Sequence, residues 1–112
     1  MRRGEIWWAA LDMPRGSEPG YRRPVVIVSS NRFNEKDLRT VATIPVTSNL
    51  ARATIAGNVR LPSRGTGLSR NSVALAIQIG STDKRLLIDR VGRVPDAIMS
   101  EINDALRLVM AL

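Results

Sequence analysis

The 112-residue sequence contains neither cysteine nor histidine. Disulfides, thiolate metal sites and the commonest proton carrier at neutral pH are excluded together, so no metal site is expected and any chemistry must run on other groups. Aromatic side chains are scarce, and Trp7, Trp8, Tyr21 and Phe33 make up the set. Lysine is nearly missing, with only Lys36 and Lys84 among 17 basic residues. The rest are arginine, the side chain of planar phosphate recognition. No apolar run is longer than Ile6 to Leu11, well short of the roughly 18 residues of a membrane-spanning helix. Met1, Arg2 and Arg3 resemble the start of a signal peptide, but Glu5 and Asp12 interrupt its apolar region. A cytoplasmic protein with no membrane partner is expected.

With 44% hydrophobic and 24% charged residues, the chain reads as one globular domain over residues 1–112. A domain of this size buries about two-thirds of the surface its unfolded chain exposes. The formal charge is +7, and it is unevenly placed. Residues 94–112 are net acidic, whereas no acid falls between Asp37 and Asp83, a window holding Arg39, Arg52, Arg60, Arg64 and Arg70. Such a stretch is an electrostatic footprint for nucleic acid, although solubilised loops or an acidic protein partner would use the same residues.

Strands are expected at Gly4–Leu11, Arg23–Val28, Thr40–Val46, Asn58–Leu61, Ser72–Ile79 and Leu87–Val94, from β-branched or apolar runs bounded by Gly, Pro and polar residues. Pro45 makes the third irregular or an edge near its end. Ser29–Asp37 reads as a polar turn with a short helix around Phe33. Thr47–Ala56 and Pro62–Asn71 read as loops, and Ser81–Leu86 as one helical turn. From Pro95, Ile98, Ile102, Ala105, Leu106, Val109 and Leu112 recur at intervals of three and four, which predicts an amphipathic helix begun by Pro95 and Asp96. Short strands followed by one helix indicate an α+β fold built on a small β-barrel. Trp7 and Trp8 point to opposite faces of their strand. One is expected in the core, the other under the helix or at a subunit interface.

Six strings, in order, carry a resemblance over the whole chain: Arg3-Gly4-Glu5-Ile6-Trp7; Gly16-Ser17-Glu18-Pro19-Gly20 with Arg23-Pro24-Val25-Val26; Pro45-Val46-Thr47-Ser48-Asn49; Gln78-Ile79; Thr82-Asp83-Lys84-Arg85-Leu86; and Val91-Gly92-Arg93-Val94-Pro95. The sequence resembles the MazF/PemK (Kid) toxins. The resemblance implies an SH3-like barrel of the CcdB/PemK type with a C-terminal helix, acting as a homodimer. It implies metal-independent, cofactor-free, sequence-specific cleavage of single-stranded RNA, leaving 2′,3′-cyclic phosphate and 5′-hydroxyl ends. A MazE-like antitoxin would be the inhibitor, and DNA would be met only through the antitoxin complex.

Attack by a ribose 2′-OH on its phosphate needs a proton removed, the departing 5′-oxygen protonated, and positive donors where charge accumulates. Arg23 suits the last role, because a guanidinium grips two phosphate oxygens and Pro24 holds its backbone extended. It also matches the family's catalytic arginine, though its stem could instead cover the barrel rim. Thr47 matches the family's catalytic threonine and could hydrogen-bond the phosphate, relay a proton, or serve the turn backbone. Glu18 could accept the 2′-OH proton, orient Arg23, or order its loop through a salt bridge. Arginine and threonine do not titrate near neutrality, which leaves the proton path open. For the RNA, Tyr21 is the candidate stacking residue beside Arg22; Asn31, Ser48, Asn49 and Gln78 could read base edges, and Arg52 and Arg64 could follow the backbone. A non-catalytic binding module and a CcdB-like gyrase poison are the alternatives. Arg23 together with Thr47 weighs against the first, and the Arg-Pro-Val-Val and Pro-Val-Thr-Ser strings against the second.

Overall fold

A computed structural model describes residues 1–10 and 22–112. Its elements run β1 (Glu5–Ala10), β2 (Arg22–Ile27), α1 (Asn31–Asn34), β3 (Thr40–Thr47), β4 (Asn58–Leu61), β5 (Ser72–Leu75), β6 (Gly80–Asp83), β7 (Leu87–Arg93) and α2 (Asp96–Met110). The unbroken Val25-Val26-Ile27 run makes β2 a central strand buried on both faces. Ile6, Val26 and Ile44 stand in register across β1, β2 and β3 and pack with Val94, Met99, Ile102 and Ala105 beneath α2. On the opposite face Ala9, Val25, Ile27, Val41 and Leu87 form a second cluster, with Trp7 against it. Burying each large aliphatic side chain in these layers contributes about 1.5–3 kcal/mol.

The α+β class is as expected. All strand pairs are antiparallel in the order β4-β5-β3-β2-β1-β7, with β6 added to β3. Among the described residues this path does not close into a ring of hydrogen bonds. β3 is not an edge, because Pro45 pairs with Val25 of β2. On its other side β3 changes partner around that proline, from β6 at Thr40–Thr43 to β5 at Val46–Thr47, where a missing N–H costs no ladder bond.

Three stretches differ from expectation. The apolar Ser72–Ile79 run is strand only to Leu75, and Ala76–Gln78 form a 3₁₀ turn. Gly80–Asp83 is a strand, and the helical turn follows at Lys84–Leu86, where the Asp83 carboxylate accepts the Arg85 N–H. Within Thr47–Ala56, a 3₁₀ turn at Leu50–Thr54 is capped by Asn49, whose side chain accepts the Ala51 N–H. In α2, Met99 is buried beside Ile102 and Ala105, whereas Leu112 lies past the left-handed residue Ala111 and is exposed.

Candidate nucleic-acid cleft

Register brings the two candidate catalytic side chains to one end of the sheet. Ala9 of β1 pairs with Arg23, and the β2–β3 pairing ends at Val25 opposite Pro45, so Arg23 and Thr47 each lie two residues beyond that last pair at the same end of the sheet. Both line an open cleft of about 520 Å³, together with Trp8, Arg22, Pro24, Val46, Ser48, Ser72, Val91 and the Gly67–Arg70 stretch. The volume lies within the ~300–1,000 Å³ usual for ligand clefts.

Thr47 occupies the last position of β3, and its Oγ1 accepts the Asn49 N–H at 3.2 Å. That bond fixes the turn into Ser48 and engages a lone pair, which leaves the hydroxyl proton for a second acceptor. The turn role and a phosphate-donating role are therefore compatible.

The far wall is the β4–β5 loop, residues 62–71, seated on β7 by backbone contact. Gly67 has φ +83°, and a Cβ there would overlap the Val91 carbonyl; a Cβ at Gly92 would overlap the Thr66 carbonyl. Two glycines thus permit an approach that side chains forbid. Thr66 is fully buried, and its hydroxyl bonds the carbonyls of Pro62 at 2.6 Å and Ser63 at 2.9 Å. Ser72 Oγ donates to the Arg70 carbonyl at 3.0 Å and ties Arg70 to the start of β5.

Arg22, Arg23 and Arg70 give the cleft its charge, and no carboxylate stands among its described lining residues. Among the described residues no group of three His, Cys, Asp or Glu side chains converges as a metal site. The carboxylates of shifted acidity lie elsewhere. Asp83 is held at about 2 by hydrogen bonds from the Arg85 side chain and backbone, helped by the charges of Arg85 and Arg39. At Glu5, partial burial favours the neutral acid, but the Arg2 N–H, the Trp7 indole, the N-terminus and Arg90 together hold its pKa below the usual value.

Of the candidate RNA contacts, Arg22 and Ser48 line the cleft, and Asn31, Asn49, Arg52, Arg64 and Gln78 do not. Asn31 accepts the Arg3 N–H at 2.6 Å beside α1 and ties the N-terminal segment down. Asn49 caps the turn at Leu50–Thr54, and the Arg52 carbonyl accepts from the Asn58 side chain. Arg64 is exposed on the 62–71 loop, and Gln78 is exposed at the end of its 3₁₀ turn. Glu18 and Tyr21 lie outside the described residues. Residue-by-residue reasoning missed Trp8 and the Gly67–Arg70 wall. The available signals were two glycines in one loop and Arg70 inside the acid-free window.

Residues 2–110 match the family described as PemK-like, MazF-like toxin of type II toxin-antitoxin system. Endoribonuclease MazF6 of Mycobacterium tuberculosis (strain ATCC 25618 / H37Rv) is 44% identical over 110 residues, covering 98% of this chain and 96% of that protein. Endoribonuclease EndoA of Bacillus subtilis (strain 168) is 30% identical over 115 residues, covering 100% and 96%. Among solved structures, MazE-MazF (Form-II) from Deinococcus radiodurans superposes with a TM-score of 0.82 at 25% identity, covering 100% of this chain and 96% of that one. An endoribonuclease in complex with its cognate antitoxin from Mycobacterial species gives 0.79 at 28%, with coverage of 100% and 96%. With its sequence matched almost from end to end and its fold shared, this chain belongs to the PemK-like, MazF-like toxin family of type II toxin-antitoxin systems.

Proposed function

We propose that the protein is the toxin of a type II pair and a metal-independent endoribonuclease that cleaves single-stranded RNA, messenger RNA included, and thereby stops translation and growth. The observation that carries the assignment is the meeting of Arg23 and Thr47 in one arginine-rimmed cleft, in a chain whose relatives are named endoribonucleases. The ribose 2′-oxygen attacks the adjacent phosphorus, forming the O2′–P bond as the P–O5′ bond breaks. The 2′-hydroxyl proton leaves, and the 5′-oxygen takes one up. Arg23 faces the charge that builds on the non-bridging oxygens, and Thr47 donates its hydroxyl proton to one of them. Glu18 is the candidate base for the 2′-hydroxyl. Arg22 and Ser48 hold the strand beside the scissile phosphate.

The partners are single-stranded RNA, a MazE-like antitoxin and a second copy of the chain in a homodimer, and the site of action is the cytoplasm. Among the described residues no helix is long and apolar enough to cross a membrane. An acidic antitoxin segment that folds on binding would complement the same arginines that bind RNA.

The test is incubation of the purified protein with a long single-stranded RNA in excess EDTA, beside Arg23→Ala, with the cut ends mapped. Discrete cuts ending in cyclic phosphate, slowed about 10²- to 10³-fold in the variant, are expected for loss of a charge-stabilising donor. Equal cutting by both proteins would overturn the assignment of Arg23.

A further inference from the structure

Trp8 has a place that neither the fold nor the cleavage chemistry accounts for. It lies two residues from Ile6 on the same face of β1, and yet Ile6 is fully buried beneath α2 while Trp8 is 42% exposed. The row beyond Ile6 is Trp8 opposite Pro24, with Val46 on the next strand, and these three side chains, with Leu68 and Val91, are apolar lining of the cleft. Arg22, Arg23 and Arg70 are lining residues of the same cleft. Neither Arg22 nor Arg70 has an ion-pair partner among the described residues, whereas Arg2, Arg85, Arg90, Arg93 and Arg107 each pair with a carboxylate. Trp7 contrasts with its neighbour. It packs on the second cluster, and its indole N–H donates to Glu5 at 3.1 Å.

We infer that Trp8 is a base-stacking residue, which takes one nucleobase of the single strand against its indole face while the cleft arginines hold the flanking phosphates. This rests on the proposed RNA-cleaving function and adds to it a contact that places the strand. An indole left open beside arginines, with no carboxylate among the described lining residues, meets both demands of single-strand recognition, a π face for the base and positive donors for the backbone. The seating of Gly67 and Gly92 sets the cleft's width, because it fixes how far the 62–71 wall stands from this floor.

The experiment titrates the full-length protein with a short 2′-O-methyl single-stranded oligonucleotide, which lacks the attacking hydroxyl and stays intact. Tryptophan emission and affinity are read together. Wild type and Trp7→Phe are expected to show quenching on binding, and Trp8→Phe to lose the quench but keep most of the affinity. Trp8→Leu is expected to bind roughly ten- to a hundredfold more weakly with an unchanged salt slope, since it removes a stack and no phosphate contact. If Trp8→Leu binds as tightly as wild type and circular dichroism finds it folded, the stack is wrong and the cleavage function stands. If wild type binds no single strand, the function beneath it fails. An indole that responds to an acidic peptide and not to the oligonucleotide would overturn stacking in favour of protein docking.

Discussion

Glu5 joins four partners at the start of β1. One carboxylate oxygen accepts the Arg2 N–H at 2.8 Å and the Trp7 indole N–H at 3.1 Å, with the N-terminal ammonium at 3.9 Å; the other pairs with Arg90 at 3.0 Å. The ionised form is therefore preferred in the folded chain, and the pKa lies below its ordinary value of about 4.3. A carboxylate depressed on folding stabilises the protein above its unfolded pKa, and that contribution disappears as pH falls through the folded value. Asp83, held at about 2, acts in the same direction and over a wider acid window. The urea midpoint is accordingly expected to be level from pH 7 to about 5 and to decline from about pH 4.5 downward. Glu5→Gln should start lower at pH 7 and decline less steeply, with Trp7 emission altered by loss of its acceptor. A variant whose midpoint falls as steeply as wild type would assign the acid sensitivity to other carboxylates.

Elements with a local cause were legible in the sequence, and those with a tertiary cause were not. The β-branched run of β2, the Pro62 that opens the 62–71 loop with Gly65 and Gly67 inside it, and the three- and four-residue spacing in α2 each carry their own signal. Ser72–Ile79 carried a false one. Its apolar residues continue past Leu75 because Ala76 is buried in the core, while the backbone there leaves the sheet for a 3₁₀ turn. Arg23 and Thr47 could be named from their strings, but the opposite wall could not, because it depends on two glycines 25 positions apart meeting across β7. That contact can be tested directly. Gly92→Ala sets a methyl into the Thr66 carbonyl, so the loop must lift, and a loss of at least about 2 kcal/mol in urea unfolding is expected, with slower RNA cleavage from a misplaced wall. Gly80→Ala is the control, since its nearest contact is the Gln78 carbonyl at 3.9 Å. Equal effects of the two substitutions would mean that the loop's seat on β7 does not hold the cleft.

Across the molecule, charge is sorted by segment. The last 19 residues are net acidic and include α2, which contributes nothing to the described cleft lining, while an excess of arginine sits on the remainder. Arg2, Arg85, Arg90, Arg93 and Arg107 are ion-paired, which cancels their near field, whereas Arg22 and Arg70 in the cleft, like Arg32, Arg39, Arg52, Arg60 and Arg64 outside it, pair with no described carboxylate. A single strand entering the cleft displaces counterions from its phosphates, and each neutralised phosphate adds about −0.7 to the slope of log affinity against log salt. Arg22 and Arg70 therefore predict a negative slope of magnitude at least about 1.4 for the 2′-O-methyl oligonucleotide, and Arg70→Ala should lower its magnitude by about 0.7. The paired Arg85 offers the comparison, because its guanidinium is already taken by Asp83 and its removal should leave the slope where it was. A slope that drops as much for Arg85→Ala as for Arg70→Ala would mean that the strand follows the overall field of the +7 chain and not the cleft.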